Sequence, residues 1–114
     1  MAAVHLSLSS LTAIIDYNKV QQSGRIDEMM GLEPLGDKWR AFGWVVEEID
    51  GHEMGEIVDV LDSLPLDPVK PSLIIAHTIK GKGASFAEDT YLWHNNAVTD
   101  EVYEKALAEL EGQS

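Results

Sequence analysis

The constraint that most narrows the fold of this chain is the alternation of short, nearly continuous apolar runs with segments of helical period. Three runs read as strands: "LTAIID" (11–16), "WVVEEID" (44–50) and "SLIIAHTI" (72–79). The first and third are rich in β-branched residues with little polar interruption, as expected of parallel strands covered by helices on both faces. Glu47 and Glu48 break the middle run, which predicts a shorter strand or one nearer an edge. Leu35, Trp39 and Phe42 recur at helical spacing, and Gly43 follows as a stop signal. Ile57, Val60, Leu61 and Leu64 form a second stripe before "PLDP" breaks the chain. A last helix starts after Thr99, a residue suited to N-capping, with Asp100 and Glu101 where the helix dipole favours acids. Its stripe is Val102, Tyr103, Ala106, Leu107 and Leu110, and "MAAVHLSL" reads as the tail of a further helix. Strands alternating with helices imply an α/β fold: three αβα layers on a mainly parallel sheet, here a single domain spanning 1–114.

Two long segments, 18–34 and 80–98, show no regular period, and irregular stretches of that length in a compact domain usually carry function. Composition limits what that function can be. Eight basic against twenty acidic residues give a net charge of −12, which opposes binding to nucleic acid or an anionic membrane. A small phosphorylated ligand stays compatible, since a few cations, backbone N–H groups and a metal can hold it locally. The chain has no cysteine, so disulfides and thiolate metal sites are excluded. It has no apolar run long enough to span a membrane and no secretory signal, which makes the cytoplasm the expected location.

Ligands of open α/β sheets sit beyond the carboxyl ends of the strands. All three runs carry polar groups there: Asp16-Tyr17-Asn18, Asp50-Gly51-His52, and Thr78 through Gly83. Asn18 offers a hard, neutral oxygen suited to Mg²⁺ or Ca²⁺, with a nearby backbone carbonyl as a second donor. The same residue equally suits an Asx-turn that caps the strand. In "TIKGKG" two glycines free the backbone for close approach to an anion, and Lys80 and Lys82 add charge, but the P-loop spacing is absent. His94 follows Tyr91 and Trp93, which could anchor the loop and aim its imidazole at a phosphate or a proton. His5, His52 and His77 receive no chemical role, and Tyr17 is expected to pack. No Ser-His-Asp or Cys-His arrangement can be assembled.

Taken in order, "MAAVHLSLSSLTAIIDYNKVQQSG", "LEPLGDKWRAFGWVVEEIDGH", "IIAHTIKGKG" and "WH…DEVYEKALAEL" closely resemble the transketolase family over essentially the whole chain. The nearest form is the N-terminal subunit of transketolases encoded as two chains; deoxyxylulose-phosphate synthase fits less well at "DYNKVQQSG" and "WH". The resemblance implies the C-terminal half of a diphosphate-binding domain. It also implies thiamin diphosphate and Mg²⁺ as cofactors, and transfer of a two-carbon ketol unit between sugar phosphates. By this resemblance Asn18 and the backbone carbonyl of Val20 are metal ligands. Lys80 and His94 meet the cofactor diphosphate, and His94 approaches substrate as the catalytic candidate. The family's Gly-Asp-Gly segment, its activating glutamate and its pyrimidine domain are not in this sequence, and Asn95 stands where the family usually has Gly or Ser. The resemblance therefore implies a chain inactive alone, working as an oligomer or with complementing transketolase chains. The competing expectation is a non-catalytic α/β module that self-associates through an exposed sheet edge.

Overall fold

A computed structural model describes residues 1–112. Its main sheet has three parallel strands of six residues each: β1 (Thr12–Tyr17), β4 (Val45–Asp50) and β5 (Ser72–His77), in the order β1-β5-β4. A two-stranded antiparallel hairpin, β2 (Val20–Gln21) with β3 (Gly24–Arg25), forms a second sheet. The helices are α1 (Ala2–His5), α2 (Ile26–Met29), α3 (Leu35–Ala41), α4 (Met54–Asp62) and α5 (Asp100–Glu111), with a 3₁₀ turn at Tyr91–Trp93. No described helix is long and apolar enough to cross a membrane.

The chain forms two compact units. The first comprises Met1–Tyr17 and Leu32–Thr78; the second comprises Asn18–Gly31 and the chain from Ile79 on. In the first unit β5 is central. It pairs with β1 from Thr12↔Ser72 to Tyr17↔His77, and with β4 from Val45↔Ser72 to Asp50↔His77. Leu73, Ile74 and Ile75 are almost wholly buried. Ser72 is fully buried as well, and its hydroxyl satisfies itself by accepting the Leu66 N–H at 3.1 Å. On one face Ile74 and Ala76 meet Ile49, Ile57, Val60, Leu64 and Leu66, so α4 covers that side. Strand residues alternate in direction, so Glu48 points away from that face; there Arg40 of α3 reaches it at 3.5 Å. Helices thus lie on both faces, giving three layers. Trp39 of α3 packs edge-on against Trp44 at 5.0 Å, and Gly43 ends the helix at φ +92°, a left-handed conformation that favours glycine.

The middle run is an edge strand, one of the two outcomes expected of it, and it is as long as the others. Two expectations need correction. The first run is not buried on both faces: β1 has only β5 beside it, and Ile14 is 60% exposed. The irregular segment 18–34 contains the β2–β3 hairpin and the single-turn α2, elements too short for periodicity to reveal. The helical stripes are also narrower than their sequence pattern, because Phe42, Leu61 and Tyr103 face solvent.

In the second unit α5 begins with Thr99 accepting the Val102 N–H, as an N-cap should. Its Glu109 accepts both the N–H (2.6 Å) and the hydroxyl (2.9 Å) of Ser85, tying the helix to the glycine-containing loop. Lys105 sits 4.8 Å over the Phe86 ring, and Phe86 meets Trp93 edge-on at 5.1 Å.

Two predictions follow from this packing. Ile74→Ala should lower unfolding free energy by about 2–5 kcal/mol in urea titration, whereas Ile14→Ala should cost less than about 1 kcal/mol. Equal losses would mean that the buried centre of the sheet is misplaced. The second concerns pH. The Ser85 N–H, then its hydroxyl, then the Lys105 charge hold the Glu109 carboxyl below its ordinary value. A depressed folded-state value stabilises the α5 tie fully above the ordinary glutamate range, and the stabilisation is lost as pH falls through the depressed value. The Ser85 amide should therefore lose hydrogen-exchange protection on acidification, and Glu109→Gln should abolish that pH dependence.

Candidate functional site

The carboxyl ends of the strands converge within the first unit. The Thr78 hydroxyl donates to Asp16 at the end of β1, and Gly51 N–H donates to the His77 carbonyl at 2.9 Å. Asp50 Oδ1 accepts the His52 N–H at 2.8 Å, so His52 belongs to the turn after β4. His77 Nε2 lies 3.1 Å from Glu48 Oε2, and its ring meets buried Tyr17 edge-on at 5.6 Å. His5 closes the short α1 and is exposed. These three histidines have structural surroundings.

The four residues singled out by the sequence, Asn18, Val20, Lys80 and His94, all fall in the second unit. Asn18 Oδ1 accepts the Val20 N–H at 3.0 Å, an Asx-turn across Lys19, whose φ is +65°. The capping alternative is therefore realised, and it leaves chemistry open. A carboxamide oxygen has two lone pairs and this bond uses one. The Lys19 carbonyl accepts the Ile26 N–H at 3.0 Å, and Val20 is paired with Arg25. Antiparallel pairs alternate, so Val20↔Arg25 is a pair whose N–H and C=O groups face away from the partner strand. The Val20 carbonyl consequently lies on the side from which Asn18 reaches its N–H. Two neutral oxygens on one edge fit part of the octahedral shell of Mg²⁺. The described residues contain no group of three or more His, Asp or Glu side chains that could complete it.

Lys80 starts a loop that is bonded largely to itself. Lys82 N–H donates to the Ile79 carbonyl, Ala84 N–H to the Gly81 carbonyl, and Gly83 N–H to Glu88 Oε1 at 2.9 Å. These three N–H groups are therefore committed within the loop and do not serve an external anion. Gly81, at φ +71°, is pressed against the Ala87 carbonyl so closely that a Cβ would lie 2.3 Å from its oxygen. The glycine is there for the tight turn. Lys80 is half-buried and lines a cleft of about 240 Å³ with Phe86, Trp93, Val98 and Val102.

His94 follows the 3₁₀ turn, which Thr90 caps by accepting the Leu92 N–H at 3.2 Å. The imidazole is exposed in a shallow depression of about 270 Å³, shared with Tyr91 and with Gln22 at the hairpin tip. The fold therefore brings Asn18 and Val20 together by a hydrogen bond and sets His94 beside their hairpin. Lys80 opens into a different cleft, lined in part by Trp93, the neighbour of His94. Sequence reading missed Arg25 and Asp89, which tie this region together, and Gln22, which lines the depression beside His94. They lie in segments without periodicity, where only the three-dimensional pairing shows a role.

The family described as "Transketolase, thiamine diphosphate binding domain" matches residues 1–110. The 6-deoxy-6-sulfo-D-fructose transketolase subunit SqwG of Clostridium sp. (strain MSTE9) is 51% identical over 104 residues, covering 91% of this chain and 38% of that protein. An apulose-4-phosphate transketolase subunit from Phocaeicola vulgatus is 44% identical over 110 residues, covering 96% of this chain and 39% of that protein. Among solved structures, transketolase from Campylobacter jejuni superposes with a TM-score of 0.86 at 29% identity, covering 96% of this chain and 17% of that one. The chain thus spans about two fifths of the length of these two curated relatives. With the family matched along nearly its full length and the three-stranded parallel sheet in place, this chain belongs to the transketolase family, in its thiamine diphosphate-binding domain.

Proposed function

We propose that this chain is part of the cofactor-binding subunit of a two-chain transketolase, contributing the C-terminal half of the diphosphate-binding domain. Thiamin diphosphate, when bound, supplies the chemistry for moving a two-carbon ketol unit from a ketose phosphate to an aldose phosphate. The chain's own task is to bind and orient. The Asn18 side chain and the Val20 carbonyl hold Mg²⁺; Lys80 and His94 neutralise the diphosphate. His94, exposed and close to the hairpin tip, also meets the substrate, as donor or acceptor according to its protonation. The observation that carries this reading is the Asn18–Val20 turn, in which two hard oxygen donors face one edge. The names of the relatives, both transketolase subunits, support a complementing chain as partner. The remaining metal ligands, the group that activates the cofactor and the sugar-specific contacts come from outside these residues, so the isolated chain is catalytically silent.

A second reading, a non-catalytic module that self-associates, is favoured by one observation: β1 is an edge strand of its sheet, and its Ile14 side chain is exposed on a face of that sheet. Calorimetric titration with Mg²⁺ and thiamin diphosphate, for the chain with and without a complementing transketolase chain, separates the two. Binding and ketol transfer should appear with the complementing chain. Asn18→Ala, Lys80→Met and His94→Ala should then each weaken cofactor binding about 10- to 100-fold, the usual worth of a hydrogen bond or ligand contact to a charged group. Self-association without cofactor binding in either setting would favour the module.

A further inference from the structure

The hairpin that presents Asn18 and Val20 is very small. Its strands have two residues each, so its own ladder cannot fix its orientation strongly. Arg25, cross-strand from Val20, extends to a residue sixty-four positions later in the chain. Its guanidinium Nη1 donates to both carboxylate oxygens of Asp89, at 3.1 and 3.0 Å. Asp89 in turn donates its N–H to the Lys80 carbonyl at 2.9 Å, closing the Lys80 loop at its base. It does so at φ +48°, a conformation that aspartate and asparagine tolerate better than most side chains. The next residue, Thr90, caps the 3₁₀ turn that ends at His94. One side-chain pair therefore links the Asn18–Val20 turn, the Lys80 carbonyl and the start of the turn that carries His94.

We propose that Arg25 and Asp89 are a positioning pair that holds the Asn18–Val20 hairpin in register with the Lys80 loop and the turn leading to His94. Neither residue touches the metal or the diphosphate; both act through the residues that do. The pair is about half exposed, with side chains 42% and 56% accessible. Exposed ion pairs contribute little to global stability, so its consequence is geometric. Arg25 also lies 3.9 Å from Asp27, a longer contact made on its own side of the hairpin. Asp27 therefore serves as a control. The meaning of the pair for cofactor binding rests on the reading of Asn18, Val20, Lys80 and His94 given above.

The test uses the full chain and amide hydrogen exchange read by NMR. Two amides report the two ends: Ile26, bonded to the Lys19 carbonyl, and residue 89, bonded to the Lys80 carbonyl. Asp89→Asn keeps the backbone conformation accessible and removes the charge; Arg25→Gln removes it from the other side. Each should speed exchange at both amides together, several-fold. The double variant should be no worse than either single one, and Arg25→Lys should recover part of the protection. Asp27→Asn should change neither amide, and β5 amides and the thermal midpoint should stay as in the parent. If Asp89→Asn affects only residue 89 and Arg25→Gln only Ile26, the pair couples nothing and the proposal falls. A second arm measures binding of Mg²⁺ with inorganic pyrophosphate in the presence of the complementing chain. There the same variants should weaken binding about tenfold, and unchanged affinity would overturn the positioning role. A parent that binds no pyrophosphate at all would overturn the cofactor reading instead, while the exchange result still decides the coupling.

Discussion

Everything in the first unit hangs on the two-sided pairing of β5. Its backbone is hydrogen-bonded to β1 on one edge and to β4 on the other, in a common register that starts at Ser72. Its side chains at 73, 74 and 75 are almost wholly buried. A strand in that position must be apolar on both faces, because helices cover both. It also aligns the carboxyl ends of its neighbours, since parallel pairing places Asp16, Asp50 and His77 at neighbouring heights. The polar strand ends meet there, in the contacts Thr78–Asp16 and Gly51–His77. The chain leaves this unit at Tyr17 and Thr78, so the segments carrying Asn18 and Lys80 both begin where the sheet ends.

The second unit is built on a different principle. Outside α5 its elements are short, and it is held by side chains closing onto backbone groups: Asn18 on Val20, Glu88 on Gly83, Glu109 on Ser85, and, between side chains, Arg25 on Asp89. In such a region carboxylates and carboxamides do the work that strand ladders do elsewhere. Acidic residues that composition counts only as net charge are, here, partly structural. Three of its cations have specific partners or surroundings: Arg25 between Asp27 and Asp89, Lys105 over Phe86, and Lys80 at the mouth of an aromatic cleft. An acidic chain can in this way retain a local place for an anion.

The resemblance and the geometry bear on different parts of the account. Kinship with transketolase subunits rests on similarity along nearly the whole chain. What individual residues do is a matter of local chemistry, and there the structure sharpens two readings. Asn18 is both turn-former and candidate ligand, because an amide oxygen can accept a hydrogen bond and still face a cation. In the "KGKG" segment the N–H groups of Lys82 and Gly83 are bonded within the loop, so those two do not serve an external anion.

The sequence by itself determined the α/β class, the three strands, the main helices and the Thr99 cap. These are written in local apolar period and in capping chemistry, which act over a few residues. It also singled out Asn18, Lys80 and His94 as residues of interest, through their place after strands or within an aromatic loop. Tertiary structure alone decided that β5 is the buried centre while β1 lies at the edge of the sheet with Ile14 exposed, since strand order is a matter of long-range pairing that periodicity does not encode. It alone revealed the β2–β3 hairpin, too short to have a period, and the narrowing of each helical stripe to the residues that find a partner. The Arg25–Asp89 and Glu109–Ser85 ties belong to the same class. Each joins residues far apart in the chain, and only folding brings their charges and donors within hydrogen-bonding distance.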